Sequence, residues 1–363
     1  MSMSDTTTVA SPMTFRHGPA MPNRFMLAPL TNLQSHSDGR LSDEEYRWLT
    51  MRAQGGFGAT MTCASHIQAT GQGFPGQLGS WADFHIEGLA RLASGIKAAG
   101  SVSLVQLQHA GLRSPKDLIG TDPVGPSADE STGAREMSVD EVEQLVSDFA
   151  AAAVRAEQAG FDGVELHGAH GYLLCAFLSA ETNRREDRYG GSPHGRARLL
   201  WEIVAEVRNR CSEDFILGVR LSPERFGIDL DESIALAADL LVDQRIDFLD
   251  MSLWDCFKHP ESEAHRDRLL IEHFTRLDRD GTRLGVAGKL YTPEAVARVM
   301  ELGADFPLLG RAAILQHDFP RRMLADPGFT PVAPPVTRQH LRDEGLSDAF
   351  LGYMSGWHGF VTD

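Results

Sequence analysis

One short stretch of the chain, VELHGAHGYLL at residues 164–174, combines an apolar run with three side chains that can do chemistry. His167 and His170 stand close together, and Tyr172 follows them directly. Imidazole and phenol groups donate hydrogen bonds, and imidazole also binds metal ions. The three side chains therefore suit metal binding, hydrogen bonding to a substrate oxygen with Tyr172 as proton donor, or simple satisfaction of polar groups in a core.

Metal binding requires more ligands than the two histidines supply. Zinc sites normally use at least three protein side chains, and only His109 and Glu165 stand out as further candidates. The cysteines lie scattered at Cys63, Cys175, Cys211 and Cys256. Without a Cys-x-x-Cys pair they predict neither a disulfide framework nor a zinc or iron–sulfur site. We expect no bound metal, and a metal-dependent barrel hydrolase using His167 and His170 stays as an alternative.

Elements that could position these residues alternate along the whole chain. Apolar runs that predict strands cover residues 25–30, 59–65, 101–108, 163–168, 216–222, 248–254, 283–288 and 306–311. Amphipathic patterns that predict helices cover residues 43–54, 85–100, 139–160, 196–210, 231–243 and 292–303. Near-continuous apolar strands are typical of parallel sheets that are covered on both faces.

Eight such alternations predict an α/β fold, a (β/α)8 TIM barrel with longer loops at 113–137 and 255–265. We expect a single domain over residues 1–363, with the barrel at about 25–322 and a C-terminal tail at 323–363. An open, doubly wound sheet is the main alternative.

In such barrels the chemistry collects where the strands end. Polar or turn-forming residues at those ends include Thr31, Gln106, Arg220, Trp254, Gly288, Gly310 and Arg311. The last three follow the seventh and eighth strands, where many barrels bind phosphate through glycine backbone N–H groups and a positive charge. Tight turns and a solvated arginine would produce the same pattern.

Charge and hydropathy limit the classes of partner. A net charge of −16 disfavours binding to nucleic acid or to an anionic membrane surface. No apolar stretch approaches the roughly 18 residues that a membrane helix needs. The first residues lack the apolar segment of a signal peptide, so we expect a cytoplasmic protein.

Residues 167–192, HGAHGYLLCAFLSAETNRREDRYGGS, resemble the long signature H-x-x-H-G-Y-L…FLSP-x-N-x-R-x-D-x-Y-GGS of the Old Yellow Enzyme family of FMN-dependent ene-reductases. APLT (28–31), RAQGGFG (52–58), QLQHAG (106–111), VRLS (219–222) and LGR (309–311) add to the resemblance, which runs from about Phe25 to Arg322. The chain departs from the family at Cys63, where Glu or Thr is frequent, and at Leu33, where one bacterial subclass carries an aromatic residue.

The resemblance implies one bound FMN and a transient reductant, NADH or NADPH. It implies flavin contacts from Pro29, Leu30, Thr31, the Ala64 backbone, Gln106 and Arg220, and phosphate contacts from Gly288, Gly310 and Arg311. Arg220 would lie near the flavin N1, where a positive charge stabilises the reduced ring.

The reaction implied is the reduction of an electron-poor alkene: an enone, enal or nitroalkene. His167 and His170 would hold the substrate oxygen, the flavin N5 would supply hydride, and Tyr172 would supply the proton. Phe74 and Trp254 are expected to line the substrate pocket. An FMN-dependent dehydrogenase or demethylase of the same fold is an alternative.

The end of the tail, residues 351–363, carries the aromatic residues Tyr353, Trp357 and Phe360. Aromatic side chains in a terminus predict docking onto the protein's own surface. Insertion at the subunit interface of a homo-oligomer is the alternative.

Overall fold

Eight parallel strands close into a barrel in the computed structural model, which describes residues 9–326 and 328–362. In chain order they are β1 (Met26–Leu27), β2 (Ala59–His66), β3 (Val102–Gln108), β4 (Gly163–Gly168), β5 (Ile216–Leu221), β6 (Phe248–Ser252), β7 (Arg283–Ala287) and β8 (Phe306–Leu309). Each strand pairs with the next, and β8 pairs with β1, so no strand edge stays open. The predicted barrel is confirmed and the open-sheet alternative is wrong. The expectation that the chain lacks a signal peptide rests largely on residues 1–8, which lie outside the described residues.

Helices cover the outside of the barrel. They are α1 (Asp43–Gln54), α2 (Ile86–Ala98), α3 (Lys116–Ile119), α4 (Val139–Gln158), α5 (Leu173–Leu178), α6 (Pro193–Arg210), α7 (Leu230–Val242), α8 (Glu272–Thr275), α9 (Pro293–Glu301), α10 (Arg311–Leu315), α11 (Phe319–Ala325), α12 (Arg338–Asp343) and α13 (Asp348–Ser355). The start of α4 shows how the sequence sets a boundary. The Glu141 N–H donates to the Ser138 hydroxyl at 3.2 Å, and the Ser138 N–H donates to the Glu141 carboxylate at 2.8 Å.

The two ends of the barrel interior differ in polarity. At the end where the strands begin, Phe15 packs on Phe248 with ring centroids 5.5 Å apart, and Phe248 packs on Phe306 at 5.9 Å. At the other end the buried interior residues are polar, including Gln106 and Arg220. An apolar plug at one end leaves only the carboxyl end of the strands open to ligands.

The long loop predicted at 113–137 contains the short helix α3 and a parallel pair of two-residue strands, Val124–Gly125 and Arg135–Glu136.

The tail packs against its own barrel: the Phe350 ring lies 5.5 Å from Trp48, and Val361–Thr362 pairs with Val336–Thr337. This is the predicted docking onto the chain's own surface. Within the described residues, we found no helix with both the length and the apolar character needed to cross a bilayer.

Candidate active site

The end of β4 brings together the residues singled out in the sequence. The His167 ring centroid lies 5.0 Å from that of His170 and 5.3 Å from that of Tyr172. The chain reaches this arrangement by a sharp turn in which His170 has φ +64° and Gly171 has φ +71°. A left-handed conformation costs a non-glycine residue about 1–3 kcal/mol, and such strain concentrates at functional sites. The His170 N–H donates to the Ser222 hydroxyl at 3.0 Å, which holds the turn against β5.

Burial sets the protonation states of the three side chains. It lowers the pKa of His167 and of His170 well below the usual range, and the charge of Arg220 lowers both further. Both rings are therefore neutral at neutral pH, with one donor and one acceptor nitrogen each. Burial raises the pKa of Tyr172, so its phenol keeps its proton.

Polar atoms of this group lack a partner among the described residues. His167 Nδ1 is buried without a hydrogen bond, and the Tyr172 hydroxyl makes none with any described residue. A buried polar atom left unpaired costs about 1–3 kcal/mol. The group therefore has spare capacity to bind a polar atom of a ligand.

Ser252, at the end of β6, fixes one nitrogen of His170: the His170 Nε2 lies 2.7 Å from the Ser252 hydroxyl. For His170 to donate through Nδ1, its Nε2 must accept this bond from Ser252. We expect Ser252→Ala to weaken the binding of a saturated ketone by about fivefold, the worth of one net hydrogen bond of about 1 kcal/mol. Titration of the protein with that ketone measures this affinity.

Ser222→Ala is the matched control, because Ser222 bonds the backbone of His170 and leaves its ring free. Its effect on ketone affinity should be smaller than that of Ser252→Ala. Equal affinities for wild type and Ser252→Ala would show that Ser252 does not orient the ring.

A buried polar layer lies inside the barrel beside the histidines. The Gln106 side-chain amide donates to Glu165 Oε1 at 2.7 Å, and Arg220 Nε lies 2.9 Å from Asp250 Oδ2. Because the amide nitrogen of Gln106 already donates to Glu165, the amide oxygen of Gln106 is left to accept a hydrogen bond from another partner. Burial, and then the charge of Asp250, raises the pKa of Glu165 to about 8, so this carboxyl is mostly neutral at pH 7. The layer then holds one balanced ion pair, Arg220 with Asp250.

The raised pKa of Glu165 predicts a pH dependence of stability. A carboxyl whose pKa is about 8 when folded and about 4.5 when unfolded stabilises the fold at low pH. That contribution is lost as pH rises through 8. We expect the Tm of the wild type, relative to that of Glu165→Gln, to fall between about pH 6.5 and pH 9.

This window avoids the buried histidines, whose lowered pKa values act below pH 6.5. The measurement is thermal unfolding of both FMN-loaded proteins at half-unit pH steps. Parallel Tm profiles for the two proteins would show that Glu165 is already ionised at pH 7.

An open cleft of about 720 Å³ lies over the ends of the strands. The predicted site residues that line it are Pro29, Leu30, Thr31, His170, Tyr172, Arg220, Trp254, Gly288, Gly310 and Arg311. Two others, His167 and Gln106, are 3% and 2% exposed and sit in the strands below it. The structure thus brings the residues of six strand ends around one cleft.

Ala64 and Phe74 are not among the residues that line this cleft. The Ala64 carbonyl accepts a hydrogen bond from the Gln77 side chain at 2.8 Å, although Ala64 does pair in register with Gln106. Phe74 is half-buried in the loop after β2. The flavin contact of Ala64 and the pocket role of Phe74 stay predictions.

The β8 end of the cleft suits a phosphate. Helix α10 starts at Arg311 without a side-chain cap, because Gly310 precedes it. The N–H groups of Arg311 and Ala312 make no hydrogen bond within the described residues. Unpaired N–H groups at a helix start, together with an arginine, are what a phosphate dianion needs.

Close packing of a neighbouring loop explains why residue 288 is a glycine. A Cβ there would lie 2.9 Å from the backbone nitrogen of Asp255, so only glycine allows the loop after β6 to approach this closely. Thr31 and Arg220 line the cleft, and the Gln106 amide oxygen has no partner among the described residues, so the residues present fit FMN. In that arrangement Arg311 and the 310–312 backbone would hold the phosphate.

Several cleft residues escape sequence reasoning. They are Arg113, Arg225, Phe226, Ser252, Tyr353, Met354 and Trp357, none of which the sequence assigns to the cleft. Ser252 could have been found, since it lies two residues before Trp254 near the end of the predicted strand 248–254. Arg225 carries no such signal, because it sits in a turn whose position depends on the finished barrel.

Within the parts of the chain that the structure describes, no group of three or more His, Cys, Asp or Glu side chains is arranged to hold a metal ion. The two further candidates, Glu165 and His109, belong to no such group among these residues, and each uses one of its polar atoms in another hydrogen bond. Glu165 accepts from Gln106 at 2.7 Å, and the His109 Nδ1 accepts from the Gly111 N–H at 3.0 Å. The metal-dependent alternative therefore gains no third ligand from them.

Comparison with known proteins agrees with this geometry. The model of the NADH:flavin oxidoreductase / NADH oxidase family matches residues 9–326. A probable NADH-dependent flavin oxidoreductase, YqiG of Bacillus subtilis, is 35% identical over 336 residues, covering 88% of this chain and 86% of that protein. An NADPH dehydrogenase of Bacillus pumilus is 39% identical over 254 residues, covering 68% of this chain and 73% of that protein.

Solved structures show the same fold. The Old Yellow Enzyme homologue of Zymomonas mobilis matches with a TM-score of 0.79 and 28% identity, over 95% of this chain and 99% of that one. Some relatives are much longer: this chain spans 32% of an NADH:acrylate oxidoreductase of Vibrio harveyi. The chain thus belongs to the NADH:flavin oxidoreductase / NADH oxidase family, that of the Old Yellow Enzymes, and is an FMN-dependent oxidoreductase that uses NADH or NADPH.

Proposed function

We propose that the protein reduces the activated C=C bond of enones, enals or nitroalkenes. The observation that carries this proposal is the neutral His167 and His170 pair, 5.0 Å apart between ring centroids, with the protonated Tyr172 beside it. Two neutral hydrogen-bond donors stabilise a substrate oxygen that gains negative charge during the reaction. A weak acid beside them can protonate the substrate carbon.

His167 and His170 would bind the carbonyl or nitro oxygen of the substrate. Each neutral imidazole offers one N–H, and the buried position means that these donors face little competition from water. Because Ser252 and Ser222 already hold His170 in place, little reorganisation is needed when charge develops on the oxygen. Polarisation by the pair draws electrons from the β carbon of the alkene.

When bound, FMN supplies hydride from its N5 to that β carbon. Arg220 and the amide oxygen of Gln106 would contact the flavin ring, and Arg311 would hold its phosphate. The Arg220 charge, balanced by Asp250, would stabilise negative charge on the ring. Thr31 lies in the same cleft and would donate to a ring oxygen.

Tyr172 would give the proton to the α carbon. Its hydroxyl makes no bond with a described residue, and burial keeps it protonated across the neutral range. The Arg113 guanidinium lies 4.8 Å from the centroid of the Tyr172 ring and stabilises any phenolate that forms. Solvent then returns the proton to the tyrosine.

The position of deuterium in the product tests whether hydride reaches the β carbon and the proton reaches the α carbon. An enone reduced with deuterium-labelled NADPH in H₂O should carry deuterium only at the β carbon. The same reaction with unlabelled NADPH in D₂O should place deuterium only at the α carbon. The proposal fails if the enone returns unchanged while an amine or a saturated ketone is oxidised with reduction of FMN, since that outcome favours the dehydrogenase alternative.

A further inference from the structure

Arginines flank His170 on two sides of the cleft. Arg113 Nη1 donates to the His170 carbonyl at 2.6 Å. The Arg225 guanidinium stacks 4.5 Å from the Trp254 ring centroid, and the Trp254 ring lies 6.0 Å from that of His170. The charges of Arg113 and Arg225 both lower the pKa of His170, so both act at the place where a substrate would bind.

These two arginines differ from three other cations of the cleft, each of which lies beside a carboxylate. Lys289 pairs with Asp255 at 2.9 Å, Lys258 pairs with Glu224, and Arg220 lies 2.9 Å from Asp250. A fourth, Arg311, also makes no ion pair with a described residue and is the residue expected to hold the FMN phosphate. Arg113 and Arg225 take part in none of the ion pairs formed by the described residues. Two unpaired positive charges beside one binding position are unusual in a chain whose net charge is −16.

The backbone also presents Arg225 from a fixed turn. Phe226 and Gly227 have φ +56° and +71°, and the Ile228 N–H donates to the Arg225 carbonyl at 3.0 Å. Arg225 itself has φ +73°. Such positions cost about 1–3 kcal/mol in a non-glycine residue, and the stacking on Trp254 further limits the side chain. The guanidinium thus lies at the rim of the cleft against the Trp254 ring.

We propose that Arg113 and Arg225 bind an anionic group, a carboxylate or a phosphate, on the ligand whose reactive end lies at His167 and His170. Arginine suits these groups because its planar N–H fork matches two oxygens at once. The inference rests on the proposed function and narrows it, because it favours alkenes that carry a negative charge a few bonds from the activating oxygen. The same site also suits a phosphate of NADH or NADPH.

Binding measurements on oxidised holoenzyme test the site without turnover. The probes are a cyclic saturated ketone, its carboxylate derivative, NADH and NADPH, titrated into wild type, Arg113→Gln and Arg225→Gln, with flavin absorbance as the readout. We expect each variant to weaken carboxylate binding by about tenfold, or about 1.4 kcal/mol, and Arg225→Gln to weaken neutral ketone binding by less than about twofold. Raising the salt concentration should weaken only the charged ligand.

Arg47→Gln, an exposed change on α1 with the same loss of charge, should leave every affinity as in the wild type. If only the nucleotides bind more weakly to the two variants, the anion is a nucleotide phosphate. Unchanged affinities for the carboxylate, NADH and NADPH would overturn the site. Wild-type turnover of a neutral enone is recorded in parallel, so a failed anion site is distinguishable from an enzyme that reduces no enone.

Discussion

Replacing Tyr172 with phenylalanine is expected to slow the reoxidation of the reduced enzyme by an enone by about 10²–10⁴-fold, the usual contribution of a general acid. The phenol is the protonated group beside the two histidines, and its hydroxyl has no other partner among the described residues. Reduction of the flavin by NADPH should stay within about threefold of the wild-type rate, since that half-reaction needs no proton at the α carbon. Anaerobic stopped-flow absorbance measures the two half-reactions separately.

A nitroalkene offers the internal control for Tyr172→Phe. Its nitronate product is stable without immediate protonation at carbon, so its reduction should be slowed far less than that of an enone. If the variant reoxidises with an enone as fast as the wild type, Tyr172 is not the proton donor. If both half-reactions fall equally, the substitution has damaged the cleft instead.

Replacing His167 with alanine is expected to lower kcat/KM for an enone by about 10²–10³-fold. This is the typical cost of removing one donor from an oxyanion-type site. His167 is 3% exposed and sits on β4, so its N–H acts in a water-poor environment where a hydrogen bond to a developing charge is strong. Steady-state kinetics with a series of enone concentrations measures the change.

His167→Asn is the matched variant, because its amide keeps an N–H donor near the same place. It should recover a substantial part of the activity lost in His167→Ala, whereas FMN content and Tm should be alike in the two variants. Equal activity of His167→Ala and wild type would remove His167 from substrate binding. A large loss of bound FMN would assign it a structural role instead.

The barrel was predictable because its signal is local. Each predicted strand is an apolar run of six to eight residues, and the observed bounds of β4, Gly163–Gly168, coincide with the predicted range 163–168. In the structure, His167 on β4 is buried inside the barrel, in register with Arg220. Since side chains alternate along a strand, Glu165 must face the interior as well, and it does so in the buried layer with Gln106.

Contacts between distant segments could not be predicted in the same way. The bond from Ser252 to His170 joins β6 to the loop after β4, 82 positions apart in the chain. Its existence depends on the left-handed turn at His170, which no residue type in the sequence requires. The stacking of Arg225 on Trp254 likewise depends on two loops that meet only when the barrel closes.

The part of the cleft wall that the tail forms is a third feature that could not be predicted from local sequence. Tyr353, Met354 and Trp357 line the cleft from α13 and the residues just after it. In the sequence they lie near the opposite end of the chain from β1. The aromatic character of Tyr353 and Trp357 predicted docking, but the place of docking follows from Phe350 packing on Trp48. Tertiary packing, and not local pattern, decides such positions.

The most direct test of the account is a single anaerobic experiment on purified protein that has been reconstituted with FMN. NADPH or NADH is added until the flavin absorbance bleaches, and one equivalent of an enone is then mixed in. The account predicts full bleaching, followed by recovery of the oxidised flavin spectrum with one equivalent of saturated ketone formed. A flavin that bleaches but is not reoxidised by enones, enals or nitroalkenes would contradict it.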